Sequence, residues 1–561
     1  MAVSGLHIGF IAFVSYSIIR KITALFMVRF FIEKALSGWM IPISAILGIF
    51  PVLFYMVLVG WKASSMRAGI MIIVYLVAVS LAKQKEIYRS IFIAAFIILF
   101  WKPLSYQDIG FQLSFVAVLT IIFCYQELIR KKIAMNDISV EENKIIQTLR
   151  GNIAINLFAL FGTAPLILYY FNRVTPYAFF ANIIAIPLAA LIIPGAIISM
   201  VVFPIFKWAG ILGLKLISFL TSVLMFLINF ISDLPAASLR FATPSVLAVL
   251  SFYILAILLI KLREKKQRKW IVFSAVGVFL IYLSVNYLPN SRDNNIKVTF
   301  LDVGQGDATL IQLPNGKNIL IDGGGLFGDF DIGESVVAPY LWDHGIEKVD
   351  FIIPTHSDND HIEGLFYVLK EMKTGVLWTN SLIPFKTNLR KLENVANKNK
   401  VPIKDQSILL DGLNIKIEKI HPTKTFVSNY FDKNENNFST VLKLSYGAIS
   451  FLFASDIEKE AEEYLVRQYG NKLRSTILKV PHHGSKTSST TRFINAVKPK
   501  VAIISAGFLN SFQHPAKKVI ERYEKYSTKI YRTDRDGAIT ITTDGVKYKI
   551  KTYIDNKKTF E

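Results

Sequence analysis

The chemistry-bearing residues of this chain fall into three clusters. Thr355-His356-Ser357-Asp358-Asn359-Asp360-His361 packs two imidazoles and two carboxylates into seven positions. A further carboxylate stands at Asp456, and an imidazole pair at His482-His483. Imidazole nitrogen and carboxylate oxygen are the donors that hold zinc, manganese or magnesium. One such cluster alone reads equally as a polar surface loop with a helix cap at Asp360. Three clusters of the same donor type favour a metal centre. Ser485 and Lys486, directly after the His pair, suit a phosphate or a solvated loop. His514, in Gln513-His514-Pro515, suits a proton donor or a packing role.

Each cluster follows a run of strand character. Asn318–Asp322, Val349–Ile353, Ala448–Phe453 and Ser475–Val480 are rich in β-branched and aromatic residues and stop where the polar groups begin. Further strands are expected at 296–303, 308–313, 439–445 and 501–505, with turns at Gly304–Asp307 and Pro314–Lys317. Helices are expected near 334–344, 362–372, 458–469 and 515–525. Two successive sets of strands with intervening helices predict a sheet-rich α/β sandwich whose loops gather along one edge.

The rest of the chain is of another kind. Of its 561 residues 52% are hydrophobic, and the mean hydropathy is +0.42, too apolar for an ordinary soluble protein. The excess lies in residues 1–288, so two units are expected: a membrane domain at 1–288 and a soluble domain at 289–561. Apolar windows at 5–22, 40–61, 68–82, 90–105, 111–127, 151–171, 177–206, 208–232, 244–261 and 270–288 give nine to ten spans. The segment 23–34 carries Arg29, Glu33 and Lys34 and reads as a surface piece. Pro187 and Pro194 predict a kink or a re-entrant piece within 177–232. The net charge is +22, which fits both topogenic basic loops and an anionic partner. The basic run Lys261–Lys269 marks a cytoplasmic loop by the positive-inside rule, so 270–288 crosses outward and the soluble domain is extracytoplasmic. Arg67, Gln112, Asn152 and Asn156 are costly in lipid, and either line a pathway or join helices by hydrogen bonds. Cys124 is the only cysteine, which excludes a disulfide framework and a thiolate zinc site.

His356-x-Asp358-x-Asp360-His361 with a later Asp and a later His resembles the metallo-β-lactamase superfamily, whose usual first motif is His-x-His-x-Asp-His. The wider pattern includes Leu301-Asp-Val-Gly-Gln-Gly-Asp307, Leu320-Ile-Asp-Gly-Gly324, Asn436-Asn437, Ser455-Asp-Ile-Glu458 and Lys479-Val-Pro-His-His-Gly-Ser-Lys-Thr-Ser488. With Ser4-Gly-Leu-His-Ile-Gly9, Arg67-Ala-Gly69 and Gly110-Phe-Gln-Leu-Ser-Phe115, the whole resembles the ComEC family of DNA-internalisation channels.

The resemblance implies a polytopic α-helical membrane domain followed by an αββα metallo-β-lactamase-like domain. It implies passage of single-stranded DNA across the cytoplasmic membrane during transformation, and degradation of the other strand by the extracytoplasmic domain. His356 and Asp358 would hold one divalent ion, and Asp360 and His361 a second, with Asp456 bridging. One of His482 and His483, with the first favoured, would complete the set. Such ions polarise a phosphodiester and lower the pKa of water. Carboxylate at Asp358 tilts the choice from zinc towards manganese, and less so magnesium. Asp322 would orient a ligand or shape the loop rather than bind metal itself. Implied partners are a DNA receptor, a cytoplasmic translocation ATPase and a second copy of the chain in a homodimer. No Gly-Lys-Ser/Thr phosphate loop is present, so an ATP-driven step needs a partner. Two departures stand out. His421 is the only imidazole between the first cluster and Asp456, and its context is not that of the family's ligand loop. The chain also starts almost at the Ser4 motif, without the family's usual N-terminal region. The competing readings are a channel with a catalytically weak, DNA-guiding domain, and a membrane-tethered hydrolase of another phosphodiester.

Overall fold

The computed structural model describes residues 5–60, 63–81, 87–130, 144–261, 295–327, 330–383, 387–405, 415–430, 434–554 and 559–560, with four isolated positions between 270 and 277. The chain divides into two compact units, one of residues 1–239 with 244–280, the other of 240–243 with 281–561. The basic run at 261–269, the span at 270–288 and the boundary at 288/289 lie essentially outside the described residues.

The first unit is built of apolar helices. They are α1 (Gly5–Phe30), α2 (Met40–Leu58), α3 (Ala63–Ser80), α4 (Ile87–Trp101), α5 (Ile109–Cys124), α6 (Lys144–Phe171), α7 (Ala178–Val202), α8 (Lys207–Ser232) and α9 (Val246–Lys261). Six of these, α1, α2 and α5 to α8, are long and apolar enough to cross a membrane. The other three are apolar but shorter. The protein is a multi-pass membrane protein. Outward-facing Phe219, Phe226 and Phe230 on α8 are what a helix solvated by lipid requires. One expectation is corrected in part: residues 23–30 belong to α1, which continues unbroken to Phe30, while Ile32–Leu36 form a separate short helix with only Ala35 buried. Every backbone N–H in lipid needs a partner, which favours extending the helix through Arg20, Lys21 and Arg29. Pro187 and Pro194 both lie inside the single helix α7, and no re-entrant piece interrupts 178–202.

The second unit is a four-layer sandwich. One sheet has nine strands: β1 (Ile296–Phe300), β2 (Thr309–Gln312), β3 (Asn318–Ile321), β4 (Lys348–Ile353), β5 (Lys373–Trp378), β6 (Ile403–Lys404) and, from the C-terminal part, β13 (Ile539–Thr543), β14 (Tyr548–Thr552) and β15 (Thr559–Phe560). The other has six: β7 (Ile415–His421), β8 (Val441–Tyr446), β9 (Ile449–Phe453), β10 (Ile477–Lys479), β11 (Val501–Ile504) and β12 (Lys529–Arg532). Side chains alternate between the layers, as a pleated strand dictates. Phe451 and Phe453 join Val298, Phe300 and Ile541 in the core between the sheets. Leu452 points the other way, to Leu465, Phe493 and Tyr523 of the outer helices. Leu320 likewise faces Leu365 and Val368 of α11 (Asn359–Glu371), and α10 (Ala338–Asp343) packs in the same layer. The helix expected at 334–344 begins with a π-helical turn, Gly333–Val337, before α10.

The polar clusters leave the C-terminal ends of strands that run parallel to a neighbour, β3 with β4 and β9 with β10 and β11. The start of α11 is brought against the glycine run after β3 by direct backbone contact. Gly323 N–H donates to His361 O at 2.6 Å, and Gly364 N–H to Gly324 O at 3.1 Å. A Cβ on Gly364 would sit 2.0 Å from Gly323 O. Gly364→Ala is therefore expected to force α11, and His361 with it, off the sheet. A loss of about 1–3 kcal/mol is expected, measurable as a lower unfolding temperature of the protein in nanodiscs.

Candidate metal centre

Asp307, His361, Asp456 and His483 are buried, and each offers a ligand atom within 4.8 Å of those of the other three. His361 Nε2 lies 3.2 Å from Asp456 Oδ1, and His483 Nε2 lies 3.5 Å from Asp456 Oδ2 and 3.3 Å from Asp360 Oδ2. His356 stands beside them, its ring 4.1 Å from that of His361 between centroids. Its Nε2 is 3.5 Å from the half-exposed Asp358 carboxylate.

Each imidazole is fixed through its other nitrogen. His361 Nδ1 donates to Asp322 Oδ2 at 2.8 Å. His483 Nδ1 donates to Ser505 O at 2.9 Å. His356 Nδ1 lies 3.0 Å from the Thr355 hydroxyl and 3.4 Å from that of Ser455. Asp322 also accepts from Thr355 N and Thr355 Oγ1, both at 2.8 Å, so one carboxylate ties the two loops together. This carries out the orienting role expected of Asp322. All three rings then present Nε2 inward. Those three nitrogens, together with Asp307 Oδ1 and Asp456 Oδ1, are buried without a hydrogen-bond partner. Buried polar atoms are normally satisfied, so these orphan atoms, four of them on residues whose ligand atoms lie within 4.8 Å of one another, fit a divalent cation.

The electrostatics agree. Burial opposes charge on His361, but Asp456 and Asp322 overcome it and hold its pKa well above the usual value. Burial likewise opposes ionisation of Asp456, and His361 and His483 overcome it, holding the carboxyl well below the usual range. The site demands positive charge, supplied by protons or by a metal. The backbone is strained at the same places. Asp322, Ser455, His482 and His483 have φ of 56°, 48°, 48° and 50°, a region costly for residues with a Cβ and typical of functional sites.

The His pair is ordered by that strain, and His483 rather than His482 enters the buried cluster. His482 sits at the rim, with Nδ1 3.1 Å from Glu458 and Nε2 3.9 Å from Asp456. Of the pair, the first imidazole off the strand thus stands at the rim and the second among the buried donors. Ser485 is buried, its hydroxyl 3.0 Å from that of Thr487, while Lys486 is exposed. His514 lies 5.9 Å from His482 between ring centroids. Burial first, then the charges of His483 and His482, push its pKa down to about 4. That favours the neutral imidazole, which has one N–H donor and one acceptor nitrogen. His421 is outside the cluster: its Nε2 donates to Asn437 O at 2.7 Å, and its ring packs on Phe426.

The residue that sequence reasoning missed is Asp307. Lys479 Nζ donates to its Oδ2 at 2.7 Å, and both side chains are buried. Its sequence signals are its place after Gly304-Gln305-Gly306 and at the end of the Leu301–Asp307 motif. Gly306 has a φ of +136°, and a Cβ there would meet Asp360 O at 2.2 Å. The turn therefore presses Asp307 onto the start of α11, where its N–H donates to Asp360 O at 3.1 Å.

In the membrane unit, Arg67 pairs with Asp108 at 2.9 Å. Gln112 accepts from Tyr170 OH at 2.8 Å, and Asn156 donates to Phe179 O at 3.2 Å. These two amides join helices. Asn152 is exposed.

Residues 1–266 match the competence protein family, and residues 301–507 match the metallo-beta-lactamase superfamily. The two matches, in this order along one chain, support a ComEC family protein. The chain is 28% identical to ComE operon protein 3 of Bacillus subtilis over 96% of this chain and 67% of that one. It is 26% identical to competence protein ComA of Neisseria gonorrhoeae over 91% of this chain and 67% of that one. Recombination protein 2 of Haemophilus influenzae is 26% identical over 96% and 67%. The chain thus spans about two thirds of each relative. Family membership supports a role in DNA uptake for transformation, and the buried donor set supports a divalent metal in the second unit.

Proposed function

We propose that the membrane unit passes one strand of DNA across the cytoplasmic membrane, and that the sandwich, on the extracytoplasmic side, hydrolyses phosphodiester bonds of the strand left behind. The observation that carries the hydrolase reading is the set of five buried, unpartnered donor atoms on Asp307, His356, His361, Asp456 and His483. The outward placement rests on the basic run at 261–269. A DNA receptor and a cytoplasmic ATPase complete the proposed machinery.

His361, Asp456 and His483, with Asp360 at the mouth, would hold one ion, and His356 with Asp358 a second. Manganese fits the mixed carboxylate and imidazole set best, with zinc next. A divalent ion there polarises a phosphodiester and lowers the pKa of water. The chain's own part is to hold the site ready. Asp322, Thr355 and Ser505 lock the ring orientations. Lys479 balances part of the carboxylate charge. Lys486, at the surface, is placed to attract a phosphate.

A direct test uses the full chain in nanodiscs with labelled single-stranded DNA and Mn²⁺. The parent is expected to cut, and Asp360→Ala to cut on the order of 100-fold more slowly. If the strand survives and the variant behaves as the parent, the domain guides DNA and does not cleave it. Uptake of labelled DNA by a deletion strain tests transport, and unchanged uptake would refute it.

A further inference from the structure

The loop after β11, residues 507–514, exposes large apolar side chains beside this site. Phe508, Leu509 and Phe512 are 77%, 86% and 65% exposed. The loop is nevertheless held firmly. Asn510 closes its neck, donating to Gly507 O at 2.8 Å and His514 O at 2.6 Å and accepting from His514 N at 2.9 Å. Gly507 N–H donates to Gln305 Oε1 at 3.3 Å, which anchors the neck to the turn that carries Asp307. Large apolar side chains grouped on one braced loop mark a candidate contact surface.

The position of the loop narrows the ligand. Phe512 is stacked with His514, centroids 5.9 Å apart and planes 19° apart. From His514 the rings continue to His482 at 5.9 Å, His483 at 6.3 Å, His361 at 5.4 Å and His356 at 4.1 Å. A series of rings thus runs from the exposed Phe512 to the buried donor cluster, with Phe512 and His514 stacked and the later rings inclined to one another by 44° to 67°. Lys486 is exposed on the same rim, close enough to His514 for its charge to be felt there. Flat apolar faces beside a cation, leading to a phosphodiester site, match a chain of alternating bases and phosphates. Bases offer their faces only when unpaired, so the fit is to a single strand and not to a duplex.

We propose that Phe508 and Phe512 form a base-stacking platform that holds single-stranded nucleic acid next to the metal centre. The inference rests on the reading of this edge as a phosphodiesterase site, and its test needs no hydrolysis.

The full chain in nanodiscs, kept in EDTA, is titrated with a fluorescent mixed-sequence 20-mer, single-stranded or annealed to its complement. Phe508→Ala/Phe512→Ala is expected to weaken single-strand binding by about tenfold or more and to leave duplex binding unchanged. A change of less than twofold would overturn the proposal. Phe512→Trp supplies a local probe, read as the difference from the parent. Quenching by the single strand supports stacking. A blue-shifted emission in lipid without DNA, unresponsive to the oligonucleotide, would instead assign the loop to the bilayer and overturn the proposal. Failure of hydrolysis in Mn²⁺ with intact, Phe512-dependent binding would refute the nuclease and not the platform.

Discussion

Asp456→Ala is expected to abolish metal binding by the second unit and to reduce hydrolysis at least about 100-fold. Among the described residues, Asp456 is the carboxylate that faces two of the inward imidazoles at close range, 3.2 Å from His361 and 3.5 Å from His483. Its removal leaves those nitrogens without the anion that sets their spacing and charge. The readout need not be activity. A ligand that binds only the folded state at 100 times its Kd stabilises it by about 2.7 kcal/mol. Mn²⁺ should therefore raise the unfolding temperature of the parent in nanodiscs and leave that of Asp456→Ala where it was. An equal rise in both would place the ion elsewhere. The metal-free variant has a second signature. Without Asp456, the largest influence holding the His361 pKa up is gone, so His361 should titrate at lower pH than in the parent, as seen by NMR of ring-labelled histidine.

How much of this was legible in the sequence depends on whether a feature is local. The His356–His361 cluster is one turn and one helix start, so its ligands stand together in the chain as they do in space. The strands before each cluster carry their alternation openly, as in Ile449-Ser-Phe-Leu-Phe453. Strands β7 and β14, not assigned from the sequence, show an equally plain alternation, in Ile415-Lys-Ile and Tyr548-Lys-Ile-Lys, and were there to be read. The choice of His483 over His482 was not legible. It depends on two successive left-handed backbone conformations that decide which ring turns inward. The role of Asp307 was hidden for another reason: its partner Lys479 lies 172 residues away, and nothing in either segment names the other. In the membrane unit, hydropathy located the helices, but α1 ran past the charges that should have ended it. Long basic side chains reach the interface without breaking a helix.

Breaking the Asp307–Lys479 pair should have the largest effect on stability. The two charges meet at 2.7 Å, and neither side chain is more than 6% exposed. A buried pair contributes little over an apolar pair of equal volume, but removing one partner strands the other charge at about 3–5 kcal/mol. Lys479→Ala leaves Asp307 buried beside Asp456, whose charge already opposes its ionisation. For a domain of this size the loss corresponds to a fall in unfolding temperature on the order of ten degrees. The double change Lys479→Met/Asp307→Leu should recover most of that loss, since it removes both charges and fills the space. The two variants separate two roles for Lys479. If it serves only to neutralise Asp307, Mn²⁺ should stabilise Lys479→Ala more than it stabilises the parent, because the ion then supplies the missing positive charge. If Mn²⁺ has no larger effect on Lys479→Ala than on the parent, Asp307 lies outside the ion's reach. Its part would then be to brace the turn against α11, with the ion held by His361, Asp456 and His483.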